Sequence, residues 1–158
     1  MYGVLTVCTG NICRSPMAEG LLKHLLSEAL RQKVTVRSAG TYALYGKPAE
    51  AMAIQTMAQY GVDISRHRAR PLDKEMLRSS KLILVMERFH LEVVRGAFIL
   101  SKPNVHLLGE FAPQPCDPPE IDDPYGQPLS AYLHAAEQIQ PCVQGVIDYL
   151  QDLLVQAR

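Results

Sequence analysis

The chain has 158 residues, of which 47% are hydrophobic, and its 16 Lys and Arg balance its 16 Asp and Glu. This length and composition predict one globular domain over residues 1–158 with a sizeable core. Because there is no basic excess, no signal peptide and no apolar run near the roughly 20 residues needed to cross a bilayer, we expect no nucleic-acid partner and no membrane insertion.

A predicted phosphate-binding loop follows the first strand. Residues 4–7 (VLTV) form an apolar strand, and residues 17–26 carry apolar side chains at helical spacing, with Pro16 in the first helical turn. The loop between them ends on a helix N-terminus, where backbone N–H groups and the helix dipole form an anion site. Gly10 and Asn11 are residue types that tolerate the positive φ angles expected in such a loop.

The same loop carries a candidate nucleophile. It reads CTGNICRSP from Cys8 to Pro16, with a thiol at its start and a guanidinium near its end. Arg14 can hold two phosphate oxygens at once, and its charge together with the helix N-terminus favours the thiolate of Cys8. The hydroxyl of Ser15 is placed to donate to that sulfur, which stabilises it both as nucleophile and as leaving group.

Other interpretations of these residues are weaker. An isolated cysteine is usually structural, but here the strand, the Cys-x5-Arg-Ser spacing and the helix start coincide. A zinc site would need a matching cysteine or histidine pair downstream, which the sequence lacks. A Walker-type nucleotide loop would need Gly-Lys-Ser/Thr, which does not follow. We therefore predict a cysteine-based phosphate site without a metal.

The rest of the chain alternates strands with helices. Predicted strands lie at residues 33–40, 81–86 and 104–108, and predicted helices at residues 49–60 and 129–155. Gly61 closes the first of these helices, and Pro141 should kink or interrupt the second. The alternation predicts an α/β fold, a single three-layer domain whose four-stranded parallel sheet has helices on both faces. The phosphate loop then lies at the carboxyl end of the first strand, where open α/β sheets bind ligands.

Residues 8–19, CTGNICRSPMAE, resemble the signature of the low-molecular-weight protein tyrosine phosphatases, and the resemblance extends over nearly the whole chain. The segments SAGT and HRAR are similar to the bacterial branch of that family. Family members carry an Asp-Pro near the C-terminal end, which Asp123-Pro124 matches within a proline-rich acidic stretch typical of a functional loop. The resemblance implies that Asp123 is the general acid. Protonating a phenolate leaving group of pKa roughly 10 accelerates hydrolysis ~10²–10⁴-fold.

The resemblance also implies a catalytic set that needs no cofactor. Cys8 would attack phosphorus, Arg14 would hold the equatorial oxygens, and Asp123 would protonate the leaving oxygen and later activate water. The wall of the substrate pocket opposite Tyr125 would lie within residues 41–45, and this segment departs from the tryptophan-bearing pattern of some family members. The substrate would touch four residues of the loop, namely Thr9, Gly10, Ile12 and Cys13. It would also touch one aromatic wall, which Tyr125 would form.

Further residues would support the loop or steer the substrate. Ser38 and His67 match family positions whose side chains hydrogen-bond the loop asparagine, here Asn11, and Ser15 belongs to the same supporting group. Three arginines interleave with this histidine, namely Arg66, Arg68 and Arg70. They form either a solvated basic face or a surface that steers anionic substrates.

Relatives of this fold act on other substrates, so phosphoarginine hydrolysis, arsenate reduction and non-catalytic phosphopeptide binding are alternatives. Ile12 favours phosphotyrosine, since relatives that act on phosphoarginine carry threonine at that position. Arsenate-reducing relatives need two resolving cysteines near the third strand, whereas residues 72–101 contain none, and the remaining cysteines are Cys116 and Cys142. The presence of all three predicted catalytic residues opposes a non-catalytic module.

The expected setting follows from the cysteines and from the family resemblance. A required thiolate among four cysteines argues for a reducing compartment, so we expect the cytoplasm. The expected partner is a phosphotyrosine-bearing protein, for which bacterial relatives suggest a tyrosine autokinase in polysaccharide export, and the expected state is a monomer or weak dimer. Cys13 is expected either to capture an oxidised Cys8 as a disulfide or to pack beneath the loop as a small hydrophobe.

Overall fold

Four parallel strands form one sheet in the order β2-β1-β3-β4. The structure is a computed structural model that describes residues 1–97 and 104–156. Residues 98–101 of the cysteine-free segment and the last two residues of the predicted domain lie outside this range. The strands are β1 Tyr2–Cys8, β2 Val34–Gly40, β3 Leu82–Val85 and β4 Val105–Leu107. The predicted α/β fold with a four-stranded parallel sheet is therefore confirmed.

The described residues also form six α-helices. They are α1 Arg14–Leu25, α2 Glu28–Arg31, α3 Ala51–Ala58, α4 Lys74–Ser79, α5 Arg88–Gly96 and α6 Leu129–Gln151. A 3-10 turn at Leu108–Phe111 follows β4, and a π-helical turn at Asp152–Gln156 extends α6. The helices α2, α4 and α5 were not predicted, because they have four to nine residues, too few for helical periodicity to stand out. In the part of the chain that the structure describes, no helix combines the length and the apolar character that crossing a bilayer requires.

The strand side chains alternate between two helical layers. On one face of the sheet, Val4, Leu82 and Leu84 pack with α1, α3 and α6 in the larger core. On the opposite face, Leu5 and Ile83 pack against α4 and α5. Helices thus cover both faces of the sheet, as the alternation predicted.

The helix α6 runs unbroken through Pro141. Of the two predicted effects of this proline, the interruption is therefore wrong, and the kink stays a prediction. A proline inside a helix costs about 3 kcal/mol, because it lacks an N–H group and its ring clashes with the preceding turn. The helix buries Ile139, Val143, Val146 and Leu150 in the larger core. Each fully buried aliphatic side chain contributes about 1.5–3 kcal/mol, so burial of this face outweighs the cost of the proline.

The carboxyl ends of the strands bring the candidate site residues together. β1 ends at Cys8 and β2 ends beside it at Gly40. A side chain at Gly40 would collide with the carbonyl oxygen of Thr9 and would come within 3.0 Å of the amide nitrogen of Asn11. Only glycine allows this close approach between the end of β2 and the loop after β1.

Candidate active site

A cavity of about 280 Å³ opens beside the loop that follows β1. Its lining residues are Cys8, Thr9, Gly10, Ile12, Cys13, Arg14, Tyr42, Leu44, Asp123 and Tyr125. The fold therefore gathers the three predicted catalytic residues and all five predicted substrate contacts around one space. The wall opposite Tyr125, which the sequence left undefined, is formed by Tyr42 and Leu44.

The Cys8 sulfur accepts a hydrogen bond whose direction follows from the surrounding contacts. Cys8 Sγ lies 2.9 Å from Ser15 Oγ. Asn11 Nδ2 donates to the same hydroxyl oxygen at 2.8 Å, and the orientation of that amide follows because Asn11 Oδ1 accepts the backbone N–H of Arg70 at 2.9 Å. The other acceptor near the hydroxyl, the carbonyl oxygen of Ala39, is 3.5 Å away. The Ser15 proton is thus directed to the sulfur, where it stabilises a thiolate.

Asn11 holds the loop in a backbone conformation that most residues avoid. Its φ is 58°, the one positive φ at a non-glycine residue among residues 1–97 and 104–156. Its side chain donates to Ser38 Oγ at 2.9 Å, and its carbonyl oxygen accepts from His67 Nε2 at 2.6 Å. Burial lowers the pKa of His67, so the ring donates this bond as a neutral imidazole. Such backbone strain persists only where the surroundings over-determine it, and these contacts supply that constraint.

Gly10 does not adopt the positive φ that was expected of it, since in this loop Asn11 alone does so. A Cβ at Gly10 would lie 3.5 Å from the Ile12 side chain and 3.9 Å from Leu44. Both neighbours line the cavity. Both distances are ordinary van der Waals contacts, so neither the backbone angle nor these neighbours require a glycine at this position.

Arg14 is buried and is held from two distant segments. Its Nη1 donates to Glu87 Oε2 at 2.9 Å and to the carbonyl oxygen of Ile121 at 2.8 Å, and its Nη2 lies 3.5 Å from Asp123 Oδ2. A buried guanidinium needs such partners, because desolvation of an unpaired charge costs several kcal/mol. Glu87 was not among the predicted site residues, although its place just beyond the end of β3 is a usual one for a site residue in an α/β sheet.

His90 connects the start of α5 to the second residue of the loop. The ring is buried, and its Nδ1 accepts the backbone N–H of Glu87 at 3.1 Å. Burial lowers the pKa of His90 to about 4, so the neutral ring carries its proton on Nε2. This nitrogen lies 2.8 Å from Thr9 Oγ1 and donates to it. Thr9 is therefore oriented by a residue that the sequence did not indicate.

The two adjacent carboxylates of the acidic loop face different surroundings. Asp123 lines the cavity, and its Oδ1 accepts the backbone N–H of Tyr125 at 3.1 Å. Asp122 instead contacts α6, where its Oδ2 lies 3.2 Å from His134 Nε2 and accepts from Gln138 Nε2 at 3.2 Å. Asp122 thus anchors the acidic loop to α6, whereas Asp123 is the carboxylate that lines the cavity together with Cys8.

Cys13 is buried below the loop and its side chain points towards α6. Its Sγ donates to Tyr132 Oη at 3.7 Å, and burial raises the pKa of its thiol to about 12. Cys13 is therefore a neutral thiol at physiological pH. Within the described ranges, no three His, Cys, Asp or Glu side chains lie together in the way that metal ligands do.

Comparison with known proteins assigns the chain to a family. The family model described as low molecular weight phosphotyrosine protein phosphatase matches residues 3–154. The chain belongs to this family. It is 38% identical over 150 residues to the probable low molecular weight protein-tyrosine-phosphatase EpsP of Ralstonia nicotianae, an alignment that covers 95% of this chain and 97% of that protein.

Two solved structures place the phosphatase among enzymes with different substrates. A low molecular weight protein tyrosine phosphatase from T. tengcongensis superposes with a TM-score of 0.84 at 35% identity, over 94% of this chain and 99% of that one. The YwlE arginine phosphatase from Geobacillus stearothermophilus superposes with a TM-score of 0.86 at 29% identity, over 100% and 98%. The resemblance seen in residues 8–19 is thus confirmed, and the protein is a phosphatase.

We expect Glu87→Gln to lower kcat/KM for p-nitrophenyl phosphate about 10- to 100-fold. The substitution keeps the shape of the side chain but removes the charge that fixes Arg14 Nη1, and a hydrogen bond to a charged group contributes about 1.5–3 kcal/mol. Steady-state kinetics measure the loss. Glu92→Gln, at an exposed position within α5, the helix that begins directly after Glu87, is the matched control. Equal activity of the two variants would contradict the role assigned to Glu87.

Proposed function

We propose that this phosphatase hydrolyses phosphotyrosine in proteins through a phosphocysteine intermediate on Cys8. One observation carries the proposal: the Cys8 sulfur, hydrogen-bonded by Ser15, lines the same cavity as Arg14 and Asp123. A nucleophile, an anion clamp and a proton donor around a single space are the groups that a two-step displacement at phosphorus requires.

In the first proposed step the Cys8 thiolate attacks phosphorus in line with the leaving oxygen. Arg14 and the loop N–H groups hold the three other phosphoryl oxygens. As the S–P bond forms and the P–O bond breaks, Asp123 gives its proton to the phenolic oxygen, because a phenolate of pKa roughly 10 is a poor leaving group. Tyrosine leaves as a neutral phenol.

In the second proposed step water replaces the cysteine. Asp123, now a carboxylate, takes a proton from the water as the new P–O bond forms. The S–P bond breaks and its electron pair returns to Cys8, where the Ser15 hydroxyl stabilises the thiolate again. Inorganic phosphate leaves, and the enzyme regains its starting protonation state.

The walls of the cavity favour an aromatic substituent on the phosphate. Ile12 and Leu44 present apolar surface, and Tyr42 and Tyr125 present aromatic rings to the same space. A phenyl ring gains about 25 cal/mol for each Å² of apolar surface that it buries there. A phosphoserine side chain has no ring with which to contact these walls.

Phosphoarginine is the second candidate substrate, since one similar structure is an arginine phosphatase. A guanidinium also leaves phosphorus with the help of a proton, so the proposed roles of Cys8, Arg14 and Asp123 would serve either substrate. Arsenate reduction has no comparable support. Cys116 is exposed, and neither it nor Cys142 lines the cavity.

Side-by-side kinetics on phosphotyrosine and phosphoarginine test the proposal. We expect the wild-type enzyme to hydrolyse phosphotyrosine with the higher kcat/KM. Cys8→Ser should abolish turnover while vanadate binding stays measurable by calorimetry, because Arg14 and the loop amides remain. A preference for phosphoarginine overturns the proposed substrate, and steady-state hydrolysis by the serine variant overturns the proposed nucleophile.

The two neighbouring carboxylates provide a test of the general acid. Asp123→Ala should lower kcat by ~10²–10⁴-fold for phosphotyrosine and by much less for an aryl phosphate with an activated leaving group, since only the first needs the proton strongly. Asp122→Ala is the matched control, and it should cost less with either substrate because Asp122 contacts α6 rather than the cavity. Equal losses in both variants would show that the wrong carboxylate was chosen.

The setting of the reaction is part of the proposal. The bacterial branch of the family supports a tyrosine autokinase as the substrate protein, with the enzyme acting as a monomer or weak dimer. The cytoplasm is the proposed location, because all four cysteines are free thiols and a reducing compartment keeps them so.

Cys13 is proposed to protect the nucleophile from irreversible oxidation. Peroxide would oxidise the Cys8 thiolate to a sulfenic acid, and the Cys13 sulfur would then displace water to form a disulfide. Because the raised pKa keeps Cys13 protonated, this capture is expected to be slow. After peroxide treatment, dithiothreitol should restore more activity to the wild type than to Cys13→Ser, with Cys142→Ser behaving as wild type. Equal recovery in all three proteins would exclude protection.

A further inference from the structure

A second cavity, of about 600 Å³, lies next to the catalytic one and is lined by basic side chains. Its four cationic residues are Lys23, Arg66, Arg68 and Arg70, and its two carboxylates are Glu19 and Asp63. We refer to these six residues and the space between them as the basic groove. No step of the proposed catalytic mechanism uses it.

The basic groove and the catalytic cavity share one wall. Tyr42 and Leu44 line the catalytic cavity, whereas the next residues, Tyr45 and Gly46, line the basic groove. Tyr42 is 83% and Tyr45 is 79% exposed, so two aromatic rings stand on the surface between the two spaces. Exposed tyrosines and arginines are the residue types that protein-binding surfaces concentrate.

The arginine segment is fixed relative to the catalytic loop. His67 Nε2 donates to the carbonyl oxygen of Asn11 at 2.6 Å, and the backbone N–H of Arg70 donates to Asn11 Oδ1 at 2.9 Å. The shared wall is tied to both sides, because the Leu44 N–H donates to the Gly10 carbonyl at 3.1 Å and the Gly46 N–H to the Ala69 carbonyl at 2.8 Å. The backbone that carries the arginines is therefore held in a fixed position relative to the loop that contains Cys8.

Three of the four cations form no ion pair within the part of the chain that the structure describes. Lys23 is paired with Glu19 at 3.0 Å, and Asp63 Oδ1 accepts the N–H of Ser65 at 2.8 Å. The three without an ion pair are the exposed Arg66, Arg68 and Arg70. Arg68 Nη1 instead donates to the carbonyl oxygen of His67 at 2.7 Å, which leaves Arg66 and Arg70 as the guanidinium groups open to an external anion. Cations that line one cavity repel one another, and an external anion relieves that repulsion.

The four cations of the basic groove do not line the catalytic cavity, where the carboxylate is Asp123. A substrate polypeptide that leaves the catalytic cavity over Tyr42 and Tyr45 therefore meets these cations on one side of the phosphotyrosine only.

We propose that the basic groove binds acidic residues that adjoin the phosphotyrosine in the substrate protein, on one side of it only. The proposal rests on the proposed phosphotyrosine activity and adds a sequence preference to it. The substrate main chain crosses the ridge formed by Tyr42 and Tyr45, and its carboxylates reach Arg66 and Arg70.

Three phosphotyrosine peptides test this preference: one with neutral flanks, one with two glutamates before the phosphotyrosine and one with two glutamates after it. The wild type should hydrolyse one of the two acidic peptides with a kcat/KM about three- to tenfold above that of the neutral peptide, because the KM for that peptide is lower. Added salt should reduce this advantage, since it screens the charges. Arg66→Gln/Arg70→Gln should abolish the advantage. Arg78→Gln/Lys81→Gln removes the same charge from exposed positions before β3, and it should retain the advantage.

Each outcome decides between the two proposals. No hydrolysis of any of the three peptides by the wild type refutes the phosphotyrosine activity itself. Equal hydrolysis of all three refutes only the docking role, and the basic groove then serves another anion. If p-nitrophenyl phosphate hydrolysis falls with the arginine pair as much as peptide hydrolysis does, the arginines act on the catalytic loop and the docking proposal is wrong.

Discussion

The left-handed backbone of Asn11 is the constraint on which the rest of the site depends. A φ of 58° at a buried asparagine is costly, and the residue is kept there by hydrogen bonds to Ser15, Ser38, His67 and the backbone of Arg70. These partners belong to α1, β2 and the segment before α4. Ser15 belongs to the loop motif, but the other three partners lie 27 to 59 residues further along the chain. The tertiary fold therefore holds the loop in place before a phosphate arrives.

A second set of contacts holds the same loop from the opposite face of the sheet. Glu87 and His90, at the start of α5, contact Arg14 and Thr9. The helix α5 packs in the smaller core, whereas α1 packs in the larger one. The loop therefore lies between the two layers, and a change in the packing of either layer is transmitted to the guanidinium that holds the phosphate.

The sequence predicted those parts of the site that lie close together in the chain. Cys8, Arg14 and Ser15 share one nine-residue motif, and the alternation of strands and helices placed that motif at the sheet edge. Glu87 and His90 were missed because their partners are 73 and 81 residues away along the chain, and a Glu-x-x-His pattern at a helix start has no distinctive signature. Periodicity could not define the wall at Tyr42 and Leu44, because loop geometry sets it. The predicted interruption at Pro141 was wrong because propensity is local, whereas burial of α6 is a tertiary effect.

The order of the chain has a consequence for fragments of the protein. Arg14 lies 107 residues before Ile121, whose carbonyl oxygen accepts a hydrogen bond from the Arg14 guanidinium, and Cys8 precedes Asp123 by a similar separation. A chain that lacks Ile121 and Asp123 has Cys8 but neither all of the Arg14 contacts nor the proposed proton donor. On the proposed mechanism, a fragment that ends before residue 121 is therefore inactive as a phosphatase.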